Sequence, residues 1–114
     1  MVDVTITSRD DGELTIVEAT GEVDVSSAMR FRDDLTRALA DGKPNAIVDL
    51  TGVPFLDSTG LGVLVGRLKA MRINGGDMAL VISDDRLLRN FKITGLDQVF
   101  RLHPTVDHAL DSMR

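Results

Sequence analysis

Phe55-Leu56-Asp57-Ser58-Thr59-Gly60-Leu61-Gly62-Val63-Leu64-Val65-Gly66 decides how the rest of the chain is read. Before it, Ala46-Ile47-Val48-Asp49-Leu50 is a short, partly β-branched apolar run that predicts a buried central strand, broken by Gly52-Val53-Pro54. After it, Leu61, Leu64, Val65, Leu68 and Met71 recur on one helical face. A strand followed by a helix across a short turn is the repeating unit of a parallel sheet, and ligand sites concentrate in such turns.

Outward from this unit the alternation continues. Asn74-Gly75-Gly76 predicts a turn, Met78 to Ile82 a second buried strand, and Asp84 or Asp85 the cap of a helix through Leu87, Leu88 and Phe91 towards Gly95. Gln98 to Leu102 reads as the last strand, and Thr105 opens a closing helix lined by Val106, Ala109, Leu110 and Met113. On the amino-terminal side, Val4 to Thr7 and Glu13 to Thr20 are strand-like runs around the turn signal Asp10-Asp11-Gly12, which predicts a hairpin. Gly21-Glu22-Val23-Asp24-Val25 then leads to a helix capped by Ser26 or Ser27, with Ala28, Phe31, Leu35 and Leu39 inward and Asp41-Gly42-Lys43-Pro44 as its stop. The expected fold is α/β: a mixed, mostly parallel sheet with an amino-terminal hairpin and about four helices, in one domain over residues 1–114.

Composition narrows the function. The chain has 114 residues, 43% hydrophobic and 27% charged, with no Cys, Trp or Tyr. That removes disulfides, thiolate metal sites and cysteine nucleophiles, and an aromatic inventory of four Phe argues against aromatic stacking platforms. Thirteen basic residues against 18 acidic ones leave a net charge of −5, contrary to the footprint of a nucleic-acid or anionic-membrane binder. No apolar run approaches the roughly 20 residues that span a bilayer, and Met1-Val2-Asp3-Val4 shows no signal peptide, so a cytoplasmic protein is expected.

Within the central stretch, Ser58 reads as the N-cap of its helix. Gly60, Gly62 and Gly66 each cost a helix about 1 kcal/mol relative to Ala, which calls for an offset. Two readings stand side by side: close approach of another surface, or a helix lying flat on the sheet with Ser58 merely capping. A dinucleotide fingerprint does not fit, because the third glycine falls one residue late and inside the helix. No Lys-Ser or Lys-Thr closes the glycine run as a P-loop requires. A nucleophilic Ser58 needs a base, and His103 and His108 lie near the carboxyl end, expected at the surface or flanking a helix. Asp24, Asp49 and Asp57 show no metal-ligand spacing.

Asp57-Ser58-Thr59-Gly60-Leu61-Gly62, with Ile47 to Leu50 before it and Asn74-Gly75-Gly76 after it, resembles the bacterial STAS-domain anti-sigma factor antagonists. Gly21-Glu22-Val23-Asp24 and Phe91-Lys92-Ile93-Thr94-Gly95-Leu96 fit as well, so the likeness runs from about residue 4 to 110. The resemblance implies a phosphorylation-controlled partner switch and no enzyme. The unmodified antagonist binds an anti-sigma factor that is itself a serine kinase, and so frees a sigma factor. Phosphorylation of the serine at Ser58 weakens the complex, and a phosphatase restores it. ATP is then used by the kinase, and the antagonist needs no cofactor or metal of its own. The same resemblance places Asp24, Asp57, Ser58, Thr59, Gly60, Leu61 and Gly62 at the partner-binding surface; Ser26, next along from Asp24, is expected there too, although Val25-Ser26-Ser27 match no fixed family pattern. The alternatives are a STAS module seating a small ligand or nucleotide at the Ser58–Gly62 turn, or one regulating a kinase unrelated to sigma factors.

Overall fold

The computed structural model describes residues 3–40 and 42–113. Five strands form one sheet in the order β1-β2-β3-β4-β5: Thr5–Asp10, Leu14–Thr20, Asn45–Gly52, Asp77–Val81 and Arg101–His103. β1 and β2 make an antiparallel hairpin, and every later neighbour is parallel. Helices α1 (Ala28–Ala38), α2 (Ser58–Ile73) and α3 (Asp85–Ile93) connect successive parallel strands, and α4 (Val106–Met113) follows β5. Since the strands advance in one direction across the sheet, right-handed crossovers put α1, α2 and α3 on one face.

The core obeys that division. Val17, Ala19, Val48, Leu50, Leu80 and Ile82 face Phe31, Leu35, Leu64, Leu68, Leu87 and Phe91 in the larger cluster. The alternate residues Leu14, Ile16, Ile47, Ala79 and Val81 point to the other face, which Ala109 of α4 covers. β3 is buried on both faces, which explains why Ala46, Ile47, Val48 and Leu50 show no alternation, with only Asp49 interrupting them.

Three expectations change. β1 runs three residues past Thr7, because Asp10 still pairs with Thr15 and the turn tightens to Asp11-Gly12-Glu13, with Gly12 at φ 73°. The last strand starts at Arg101, not Gln98: Leu96–Gln98 wind into a 3-10 turn after left-handed Gly95. Phe100 then turns into the core, edge-to-face on Phe91 at 5.9 Å, where it serves packing rather than pairing. Finally, Ser27 holds the N-cap position of α1, but its hydroxyl does not cap. It donates to the Glu22 carbonyl and accepts the Asp24 N–H, both at 3.0 Å, and so fastens the loop instead. Met1, Val2 and Asp41, used above for the amino end and for the α1 stop, lie outside the described residues.

Candidate functional site

The carboxyl ends of the parallel strands open onto two loops, Gly21 to Ser27 and Val53 to Asp57. They are bound to each other as a short parallel bridge between Val23 and Leu56. Val23 N–H donates to the Phe55 carbonyl at 3.0 Å, and Asp57 N–H donates to the Val23 carbonyl at 3.1 Å. Val23 and Leu56 are both buried, so the pair acts as a rigid shelf from which α2 departs.

Asp57, and not Ser58, is the N-cap of α2. Its backbone is extended (φ −88°, ψ −173°) and its Oδ1 accepts from Thr59 N–H at 3.0 Å and Gly60 N–H at 3.2 Å. The Thr59 hydroxyl also donates to that oxygen, and this bond is the main reason the Asp57 carboxyl is held below its ordinary value; the two backbone donors add to it, while partial burial and the Asp24 charge oppose it. Ser58 is consequently the first helical residue. It is exposed, and its hydroxyl has no hydrogen-bond partner among the described residues.

Asp24 stands on the facing loop. Its Oδ1 accepts from the Ser26 hydroxyl at 2.6 Å and Ser26 N–H at 2.9 Å, which holds its carboxyl below the usual range. Asp24 and Asp57 therefore form a negative rim around a free hydroxyl.

The glycines divide. A Cβ at Gly60 would run into Leu56 Cδ1 and come within 2.8 Å of Val23 Cγ1, so close approach to the shelf explains this position. Gly62 and Gly66 are exposed with nothing within 4 Å of a Cβ, so neither close approach within the chain nor flatness on the sheet accounts for them. Gly60 and Leu61 are buried and support the turn from within, whereas Ser58, Thr59 and Gly62 face outward.

Three outward apolar residues escaped the sequence reading. Val25 is 77% exposed, Met29 67% and Phe55 49%, the first two on the Asp24 loop and the start of α1, the third in the shelf itself. Val25 and Met29 are four apart, outside the Ala28, Phe31, Leu35 stripe, which was the available signal.

Other candidates fall elsewhere. Asp49 is buried at 8% exposure and its Oδ1 accepts Thr51 N–H at 2.9 Å within its own strand. Among the described residues no three acidic or histidine side chains gather as a metal site. His103 and His108 come together, Nδ1 to Nδ1 at 3.1 Å, but at the end of β5, two strands from β3. Burial, then the neighbouring His108 and Arg101, draw His103 below its ordinary value. An anion seat at the Ser58–Gly62 turn would have to displace the Asp57 carboxylate from the Thr59 and Gly60 N–H groups. No helix of the described residues is long and apolar enough to cross a membrane.

The STAS domain model matches residues 4–109. The anti-sigma-B factor antagonist of Staphylococcus aureus is 37% identical over 87 residues, covering 76% of this chain and 81% of that protein. Its counterpart from Listeria monocytogenes is 35% identical over 101 residues, covering 89% and 88%. In structure, an anti-sigma factor antagonist from Mycobacterium paratuberculosis superposes with a TM-score of 0.89 at 30% identity, covering 98% of this chain and 95% of the other.

Proposed function

The chain belongs to the STAS-domain family, and on that premise we propose that it is an anti-sigma factor antagonist whose binding is switched by phosphorylation of Ser58. The unmodified surface, made of Asp24, Ser26, Asp57, Ser58, Thr59 and Gly62 with the apolar contacts Val25, Met29 and Phe55, docks on an anti-sigma factor that is a serine kinase. Docking releases the sigma factor. Gly60 and Leu61 act beneath this surface by fixing where the helix starts.

The observation that carries the reading is the free hydroxyl of Ser58 at the first position of α2, beside two ionised carboxylates. In the transfer, the γ-phosphoryl group of ATP held by the kinase moves to Ser58 Oγ, ADP leaves, and the hydroxyl proton goes to a base of the kinase. The product adds about −1.5 to −2 charges. Because Asp57 already occupies the Thr59 and Gly60 N–H groups, the phosphate cannot fold onto them. It projects outward, where it meets the partner. An apolar or acidic partner face is then repelled, while the positive end of α2 keeps the helix stable. A phosphatase acting on phospho-Ser58 resets the switch.

The test is direct. With ATP and the kinase, the protein gains one phosphate on Ser58; Ser58→Ala gains none and still binds; Ser58→Asp binds at least about tenfold more weakly. ATP alone leaves the mass unchanged. Equal binding by Ser58→Asp and wild type would end the switch reading.

A further inference from the structure

Beside the shelf, on the side away from Asp24, a groove of about 310 Å³ runs between Pro54-Phe55-Leu56 and the first turns of α3. Its floor is apolar, with Leu56 and Leu87 at 1% and 2% exposure. Its outer wall carries Arg86 and Arg89, both exposed. Five other arginines hold carboxylates, Arg30 and Arg37 with Asp34, Arg32 with Asp33, and Arg72 and Arg101 with Asp77, whereas Arg9 and Arg67, neither of which lines this groove, hold none among the described residues. Arg86 and Arg89 hold none among the described residues, although the chain has an acidic excess and Asp85 lies on the same helix. Two unpaired guanidinium forks over an apolar floor suit a planar carboxylate followed by an aliphatic stem.

We propose that this groove receives an acidic segment of the same anti-sigma factor, with Arg86 and Arg89 binding its carboxylates and Phe55 packing on its apolar atoms; this rests on the function proposed above. The end of the domain is thereby bipolar. Asp24 and Asp57 make one half negative, Arg86 and Arg89 make the other positive, and Phe55 belongs to both. A partner with the opposite arrangement docks in one orientation only, and the charges steer its approach. The basic half lies outside the negative rim that phosphorylation reinforces, so the two halves set different things: Arg86 and Arg89 choose the partner, and Ser58 decides when it binds.

The experiment titrates the purified anti-sigma factor kinase with the full chain at low and high salt. The forms compared are wild type, Ser58→Asp, Arg86→Gln/Arg89→Gln, and Lys92→Gln. Lys92 is a basic residue of α3 outside the groove. The double variant is expected to unfold at the wild-type urea midpoint, to bind about tenfold more weakly, and to lose much of the salt dependence; Lys92→Gln is expected to match wild type. A double variant that binds as tightly as wild type, with the same salt slope, overturns the inference, even where Ser58→Asp still weakens binding and the switch stands. Equal losses in the double variant and Lys92→Gln would assign the effect to the overall charge of α3 and overturn it too. So would retained kinase binding with loss of adsorption to phosphatidylglycerol vesicles, which would give the groove to a membrane. If Ser58→Asp binds like wild type while the double variant does not, the switch falls and the groove remains. If wild type binds no anti-sigma factor kinase, both fall.

Discussion

Two helices of this fold begin with the same device and lead to different ends. α2 follows β3 and α3 follows β4, and each is capped by an aspartate whose Oδ1 accepts two backbone N–H groups two and three residues on. For Asp57 the donors are Thr59 and Gly60; for Asp84 they are Arg86 and Leu87. At the third helical position the helices part. Leu87 drives a side chain into the core, at 2% exposure, and anchors α3 by burial. Gly60 has no side chain to drive, so the start of α2 presses its backbone on Leu56 and Val23, and its apolar side chains are buried only from Leu61 onward. The first positions differ as well: Asp85 is a fixed negative charge, while Ser58 is a hydroxyl that can become one. A capped helix start is a matter of folding, and what occupies its first and third positions settles whether it also serves as a switch.

The sharpest way to break the pairing is at the third position. Leu87→Ala removes a fully buried anchor and is expected to cost about 3 kcal/mol, read as a lower urea midpoint. Gly60→Ala is expected to destabilise by about 2 kcal/mol despite its better helix propensity, because Leu56 and Val23 must move. If Gly60→Ala instead stabilised the protein, the shelf would not be the rigid support described here.

Removing the caps should affect both helices alike. Asp57→Ala and Asp84→Ala are each expected to lose about 1 kcal/mol. At Asp57 the loss carries a pH signature, since its folded-state carboxyl sits below its ordinary value, first through the Thr59 hydroxyl. The contribution is complete above the unfolded value of about 3.9 and disappears as pH falls through the depressed folded value. Asp57→Asn keeps a capping oxygen and should flatten that acid limb of the stability curve.

Much of this was legible before any coordinates, for reasons that differ by residue. The strands β2 to β4 and the inward stripes of α1 and α3 follow from periodicity, because burial on a sheet leaves few arrangements for Ile47, Val48, Leu87 or Phe91. The cap of α2 was misplaced by one residue because Asp57, Ser58 and Thr59 are all good capping types; only the extended backbone at Asp57 separates them. That shift matters, as it turns Ser58 from a residue bonded to the helix into a free acceptor. Phe55 was hidden because an apolar residue beside a strand reads as core unless the loop geometry is known, whereas Val25 and Met29, off the inward stripe of α1, could have been found. The meeting of His103 with His108 depends on β5 ending at His103, one residue past the expected Leu102, so that its ring lies beside the first turn of α4.

Gly62 and Gly66 sharpen the comparison in the opposite direction from Gly60. Both face open space, so Gly62→Ala and Gly66→Ala are each expected to stabilise α2 by up to about 1 kcal/mol. Partner binding should separate them. Gly62 lies one turn beyond Ser58, on the surface assigned to the partner, and an added methyl there should weaken docking; Gly66 lies a further turn along, and its variant should bind unchanged. Glycines that lower stability at exposed helical sites then have a reason at one site, the near approach of another protein.

The smallest expected change in stability is the most informative. α3 already carries an acidic first position next to an aspartate cap, Asp84 followed by Asp85, and folds as a regular helix. Ser58→Asp would give α2 the same Asp-Asp start. The helix dipole favours the added charge and Asp57 opposes it, so the two effects nearly offset. The urea midpoint should stay within about 0.5 kcal/mol of wild type, as for surface substitutions away from packing. Binding to the kinase, in the same samples, should fall at least about tenfold. A variant that lost stability and binding together would show only a damaged helix. Loss of binding at constant stability is what a switch requires, because the phosphorylated protein must persist folded until a phosphatase returns it to use.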